Sequence, residues 1–446
     1  MERGIIVTMD NIYTERKKIM ATVKAFRGLR YNREKAGDIS KNVCPPYDII
    51  SDKQRLRYIE NSEYNIVRLE LPKGDHPYED AGELLKKWID EGILVKEERD
   101  AVYIYEEEFT VHSGKKSVKG CIVRVKLEEF EKGIILPHEN TLSKAKDDRL
   151  NLMKATDCNF SQVYALYRDE KHTVDTLLDR YSSVTPDVEI TDGDGITHRL
   201  WVVTDQAAIS LICSDFTDRK LYIADGHHRY ETALNYRNYL RKNGKAKEGD
   251  DCDYQMMMLV NMEHPGLVVF PTHRIVRGLK NFDEEKIVAA CREYFDIKEI
   301  SKAYLTYYEL NQAYINNKTA FVMYTGSEHF TLLTLRDASV MDKLMPDMSK
   351  ASRQLDVAVL HKLILEKLMG IDAENMAKQI NLTYVKSIDE AIEAAEEQPE
   401  TNCVFLLNPT KISEIAEVAS AGEKMPQKST YFYPKLITGL VINSFN

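Results

Sequence analysis

Between residues 199 and 243 the chain alternates twice between a short apolar run and a segment of helical period, and few folds accommodate that order. Residues 199–203 have the length and character of a strand. Asp205 stands where an N-cap belongs, and Ala207, Ile209, Leu211 and Ile212 give apolar surface to a helix over 206–215. Residues 220–224 read as a second strand, which runs straight into Asp225-Gly226-His227-His228-Arg229. Ala233, Tyr236 and Leu240 then share one face of a helix over 230–242, and Gly244 closes it. This βαβα order predicts the α/β class.

The same vocabulary fills the rest of the chain. A strand over 23–30, a Cys44-Pro45-Pro46-Tyr47-Asp48 turn, a strand-like 65–71 and a helix over 78–91 closed by Gly92 make an N-terminal α/β region. Residues 101–111 and 117–130 form a hairpin joined at 112–116, a helix begins near Asp147, and strands follow at 254–261 and 267–270 as another pair. Beyond residue 281 a third α/β unit is expected, with strands at 320–324, 331–335, 380–385 and 403–407 and helices at 356–369 and 388–397. The expected division is an arm over 1–19, an N-terminal α/β region over 20–100, a catalytic domain over 101–280, and a C-terminal α/β domain with a basic tail over 281–446.

Charge and cysteine usage narrow the function. Asp and Glu number 71 against 61 Lys and Arg, a net charge of −10, which argues against nucleic acid and anionic lipid as partners but leaves room for a local basic pocket. No apolar run reaches the ~18 residues of a membrane span. The first twenty residues lack the apolar core of a signal peptide, and the seven scattered cysteines form no CxxC pair. A cytoplasmic protein with reduced thiols is expected.

Two segments carry chemistry. Asp225-Gly226-His227-His228-Arg229 sits where a strand meets a helix, so free N–H groups and the positive end of the helix dipole favour an anion. Gly226 lets the backbone approach, His227, His228 and Arg229 add donors, and Asp225 can orient a histidine or hold a metal. Upstream, Pro137-His138-Glu139 offers a carboxylate to take a proton from an attacking hydroxyl. Secondary candidates are Asp48 behind its Pro-Pro-Tyr turn, Thr272-His273-Arg274 after a strand, and the tail residues Lys424, Lys428, Ser429, Thr430 and Lys435, which suit a diphosphate. Tyr431, Phe432 and Tyr433 should fold that tail back onto the body. No Walker A, kinase Gly-rich loop or GxGxxG is present in the sequence.

Together, Pro137-His138-Glu139 and Asp225-Gly226-His227-His228-Arg229 resemble the ParB/sulfiredoxin-like superfamily, in particular its free-serine kinase branch. Residues from about 22 to 443 also resemble a large bacterial and archaeal family described as of unknown function. The marks of that family are Pro45-Pro46-Tyr47-Asp48, His138-Glu139-Asn140-Thr141, the Ala224–Tyr230 run, Pro271-Thr272-His273-Arg274 and the tail around Lys428–Lys435. The resemblance implies a ParB/sulfiredoxin-like catalytic core with flanking α/β regions. It implies a phosphotransferase acting on a small hydroxyl compound, free L-serine, with pyrophosphate, ADP or ATP as donor and Mg²⁺ as cofactor. Glu139, Asp225 and His228 would be catalytic. Gly226, His227, Arg229, Lys428, Ser429 and Thr430 would bind phosphate, and Asp48, Arg149, Thr272, His273 and Arg274 the substrate. In the compact kinases the two motifs lie a few tens of residues apart, whereas here 86 positions separate Glu139 from Asp225, which makes Asp148 the alternative base. The competing readings are a ParB-like, nucleotide-responsive DNA-binding module and an enzyme that consumes phosphoserine at the same site.

Overall fold

In the computed structural model the described residues are 20–141 and 143–445, so the expected arm over 1–19 lies outside them. The first sheet has nine strands. Its order is Ile135–Leu136, Leu221–Asp225, Val163–Tyr167, Tyr254–Asn261, Gly114–Lys126, Val102–Val111, Thr197–Val203 and Val188–Thr191, with Val23–Lys24 beside Gly114–Lys126. The class is α/β, as the alternating pattern requires.

Alternation along Val102–Val111 explains how this sheet is covered on both faces. Tyr103 and Tyr105 enter one core with Leu85 and Trp88 of the helix Pro77–Asp90, while Val102 and Ile104 enter the other with Val123, Leu259, Ile223 and Tyr230. The Met256–Met258 run is fully buried in the central strand, where an unbranched thioether fills space without demanding a partner. A six-stranded sheet follows: Phe295–Ile300, Phe330–Leu335, Ala320–Tyr324, Thr401–Leu407, His273–Arg277 and Leu382–Val385. It too alternates, with Phe321 and Met323 facing one cluster and Ala320 and Val322 the other.

Several expectations are corrected. Residues 65–71 are not a strand: Val67–Glu70 is a short helix, started by the Asn65 side chain, which accepts from the Val67 N–H at 2.9 Å. A brief apolar run cannot distinguish a buried helix turn from a strand. The strand expected over 23–30 is two pieces, Val23–Lys24 and Leu29–Tyr31. The hairpin turn is tighter than read, since Gly114 already pairs with Val111. Thr197–Val203 and Leu221–Asp225 do occur in βαβα order, capped by Asp205, but four strands separate them in the sheet. Val268–Phe270 does not pair with Tyr254–Asn261. Its partner is Tyr431–Tyr433 of the tail, so Val268 faces Tyr433 and Phe270 faces Tyr431.

The tail therefore folds back. Phe432 is buried, Ile437, Val441 and Ile442 join the first core, and Asn443–Ser444 pairs with Cys158–Asn159. Six of the seven cysteines are buried and all are free thiols. Among the described residues no helix is long and apolar enough to cross a membrane.

Candidate functional site

Ile135–Leu136 and Leu221–Asp225 lie side by side and parallel, with Leu221 opposite Ile135 and Tyr222 opposite Leu136. The segments leaving their carboxyl ends are Pro137-His138-Glu139 and Gly226-His227-His228. Adjacent parallel strands deliver their exits to the same sheet edge, the usual place for a ligand in such sheets. The residues between the two motifs include the strands Val163–Tyr167, Val188–Thr191 and Thr197–Val203 of the same sheet, and the chain then returns to lay Leu221–Asp225 beside Ile135–Leu136, so separation in sequence does not separate the motifs in space.

The turn is held by left-handed backbone. Gly226 has φ 90° and serves as N-cap of the helix His227–Lys242, with no side-chain cap on its first turn. His227, His228 and Arg229 thus belong to the first helical turn and not to a loop. His227 Nε2 accepts from the His138 N–H at 3.2 Å, and the two rings meet edge to face with centroids 4.6 Å apart. His138 Nδ1 donates to the Ile223 carbonyl at 2.7 Å, so its Nε2 is the acceptor for the Thr430 hydroxyl at 3.0 Å. Burial lowers the His138 pKa to about 4, and burial with His138 alongside pushes His227 well below the ordinary value. Both rings are neutral scaffolding that ties the turn to the tail.

These elements enclose a cavity of about 220 Å³. Asp48, Glu139, Asp225, Gly226, His227, His228, Arg229, Thr272, Lys428 and Thr430, all singled out in the sequence, line it. Glu139 is half-buried, and burial raises its pKa, with Lys428 and Lys435 acting in the opposite direction. Its Oε1 accepts from the Ser429 N–H at 3.3 Å. Burial alone would also raise Asp225, but the Lys435 ammonium and the Arg229 guanidinium hold it well below the usual carboxylate range. Arg229 donates to Asp225 Oδ2 at 2.7 Å and to the Gln162 carbonyl, so its fork is spent on the protein. His228 is lowered, mainly by burial.

Five of the candidate residues do not line the cavity: Arg149, His273, Arg274, Ser429 and Lys424, whose ammonium stands 5.9 Å from the centroid of the Phe130 ring. Arg149 stacks over Tyr47 at 4.2 Å and donates to the Glu70 carbonyl at 2.5 Å, so it braces the wall from behind. His273 accepts from the Leu407 N–H at 3.1 Å, and Arg274 donates to His361 at 3.3 Å and to the Lys428 carbonyl at 3.2 Å. Thr272 stands just before the strand His273–Arg277, on which His273 and Arg274 point to opposite faces, each to a partner within the protein. Ser429 offers Glu139 its backbone, while its hydroxyl donates to the Pro426 carbonyl at 2.5 Å. Asp148, the alternative base, accepts from Tyr78 and Arg149 and is likewise absent from the lining.

Lys435, singled out in the basic tail, also lines the cavity, together with Lys386, Tyr384 and Asn140, which were not among the candidate site residues. Lys435 lay within the basic tail and its signal was readable. Lys386 follows the strand Leu382–Val385 of the second sheet, and no local pattern marks it. Among the described residues no group of three His, Cys, Asp or Glu side chains is placed to hold a metal. Both Asp225 oxygens are engaged and Glu139 Oε1 is held by Ser429, whereas Asp48 is exposed at the rim of the cavity.

Among solved structures, a conserved hypothetical protein from Pyrococcus furiosus is 14% identical, with 73% of this chain and 95% of that one covered and a TM-score of 0.35. A free serine kinase in complex with AMP is 14% identical over 73% of this chain and 91% of its own, also at 0.35. SbnI with a C-terminal truncation, from Staphylococcus aureus, is 10% identical over 72% and 86%, at 0.33. Likenesses at these scores carry no argument about the site. No curated protein matches the chain. The model of the family described as Protein of unknown function (DUF1015) matches residues 23–358, well over half of the sequence, and the chain belongs to that family.

Proposed function

We propose that the chain is a phosphotransferase that moves a phosphoryl group onto the hydroxyl of a small molecule, and that the acceptor is free L-serine. The observation that carries this reading is one carboxylate, Glu139, held above its ordinary pKa in the same cavity as Lys428, Lys435 and Lys386. Phosphoryl transfer asks the protein mainly for positioning and for positive charge around the moving group. The lysines and the uncapped start of the helix His227–Lys242 supply that charge. Glu139 takes the proton as the serine Oγ–P bond forms and the bridging P–O bond of the donor breaks. A raised pKa makes a carboxylate a better base, provided that it is ionised at the working pH. Serine as the acceptor follows from the resemblance to the free-serine kinase branch.

Pyrophosphate is the favoured donor, because about 220 Å³ is below the ~300–1,000 Å³ typical of sites for larger organic ligands. ADP and ATP are the alternatives. Mg²⁺, brought with the donor and held by Asp48, would neutralise phosphate charge. The test is a transfer screen of free amino acids against pyrophosphate, ADP and ATP with Mg²⁺, reading phosphoserine by mass spectrometry. Serine should be phosphorylated, and Glu139→Gln should lower turnover by roughly 10²–10⁴, the span of general-base catalysis. No phosphoserine from any donor, or full turnover in Glu139→Gln, would overturn the reading.

A further inference from the structure

Lys386 enters the cavity from the second sheet, opposite the two motifs. Its Nζ stands 3.7 Å from the centroid of the Tyr431 ring, and Lys435 Nζ stands 4.5 Å from the same centroid. The two ammonium groups therefore lie within about 8 Å of each other, gathered on one aromatic ring. Lys428 lines the same cavity. Lys435 is committed to Asp225, but among the described residues neither Lys386 nor Lys428 forms a salt bridge. Burial, then Lys435 and Lys428, lower the Lys386 pKa, while Glu390 and Asp48 act the other way. Lys386 and Lys428 are exposed and Lys435 is half-buried, and like charges drawn together around one cavity repel until a polyanion joins them. A monophosphate can satisfy one side of such a site. A diphosphate has the length and the charge to reach all three lysines.

We propose that Lys386, Lys428 and Lys435 form a cradle for a diphosphate group, with Lys386 as the arm that reads the second phosphate. The proposal rests on the reading of this cavity as a phosphoryl-donor site. Two sources share the chemistry. One is free pyrophosphate. The other is a nucleoside diphosphate, because Lys386 and Tyr431 also line an adjoining cavity of about 580 Å³ walled by Phe270, Tyr307 and Tyr433. Aromatic walls beside a cation suit a planar base next to its phosphates.

The test is calorimetric titration of the full chain with inorganic pyrophosphate, inorganic phosphate and ADP, without acceptor and without turnover. In Lys386→Met, pyrophosphate affinity should fall about tenfold or more while phosphate stays within about twofold, since only the diphosphate reaches the lost ammonium. Lys386→Arg should keep most of the pyrophosphate affinity, and circular dichroism should show both variants folded. A Phe270→Ala variant that weakens ADP and spares pyrophosphate assigns a nucleoside diphosphate. Pyrophosphate binding at least as tightly as ADP, with both indifferent to Phe270→Ala, assigns the free ion. Either result supports the cradle. Unchanged pyrophosphate binding in Lys386→Met, an equal loss of phosphate and pyrophosphate, or no binding of either diphosphate to the native chain would overturn it. Selectivity lost here leaves phosphoserine formation standing, and a failed transfer screen leaves the binding result standing.

Discussion

Replacing Gly226 by alanine probes the turn on which the site depends. At φ 90° an L-residue is strained, by roughly 1–2 kcal/mol. The added Cβ would also stand 2.9 Å from Nε and Nη2 of Arg229 and 3.0 Å from its Cζ, inside any ordinary contact. Arg229 cannot swing aside freely, since it donates to Asp225 at 2.7 Å and to the Gln162 carbonyl and is 8% exposed. Relief of the clash means loosening the charged hydrogen bond to Asp225, worth about 1.5–3 kcal/mol. Gly226→Ala should therefore cost roughly 2–4 kcal/mol, less than the full sum because a small rotation relieves part of the clash. Gly133→Ala is the control, with φ 66° and no atom within 4 Å of its added Cβ, so it carries the backbone strain alone. The assay compares urea midpoints and pyrophosphate affinity in the two variants. Gly226→Ala should have the lower midpoint and weaker binding. Equal midpoints and unchanged binding would show that Arg229 yields without cost and that the turn does not depend on glycine through this contact.

Three further outcomes follow from charge and burial. Because burial raises Glu139, the acid limb of kcat/KM should lie above the ordinary glutamate value of about 4.3, activity should rise with pH through it, and Glu139→Gln should abolish that limb. His138 is fully buried with its pKa lowered to about 4, so the folded chain binds fewer protons than the unfolded one below about 6.5; stability should fall by up to about 3 kcal/mol as pH drops from there through 4, and His138→Gln should flatten part of the fall in unfolding midpoints. Lys435→Met leaves Asp225 with Arg229 as its remaining partner in a site where the Lys435 and Asp225 side chains are 11% and 19% exposed, and should cost about 1–3 kcal/mol; Asp225→Asn in the same chain should restore part of it, and strictly additive effects in that double-mutant cycle would refute the coupling.

Elements with a strong period were legible. The helix Pro77–Asp90 with Ala81, Leu85 and Trp88 inward, the Asp205 cap and the strand ending at Asp225 all appear where local chemistry puts them, because each is decided by neighbours in sequence. Pairing was less legible. Val268–Phe270 could not be seen to choose Tyr431–Tyr433 over the nearby Tyr254–Asn261, since strand register is set by long-range packing that leaves no mark on the strand itself. The site divides in the same way. Glu139 and the Asp225–Arg229 turn are recognisable because unusual polar residues follow apolar strands. Lys386 is one lysine among many until the fold brings Leu382–Val385 beside the tail. Arg274 is likewise placed by long-range packing: its guanidinium donates to His361 and to the Lys428 carbonyl, contacts that the Pro-Thr-His-Arg run does not announce.

The tail and the turn are coupled through Asp225. Its Oδ1 accepts from Lys435 and its Oδ2 from Arg229, so the carboxylate is saturated only while the tail is docked. Undocking would leave a partly buried carboxylate with one partner, and would also withdraw Thr430 from His138 and the Ser429 N–H from Glu139. Each of these contacts joins residues far apart in sequence, and each fails together with the strand pairing of Tyr431–Tyr433. Lys428 and Lys435, two of the three lysines, arrive on the same segment. Much of the positive charge of the cavity therefore arrives with the docked tail and is joined by Lys386 and the start of the helix His227–Lys242, whereas the turn's own arginine is neutralised by its own aspartate. An acidic chain thus keeps an anion site by importing much of the charge from its far end, and the contacts that hold the tail down also set the base and the turn in place.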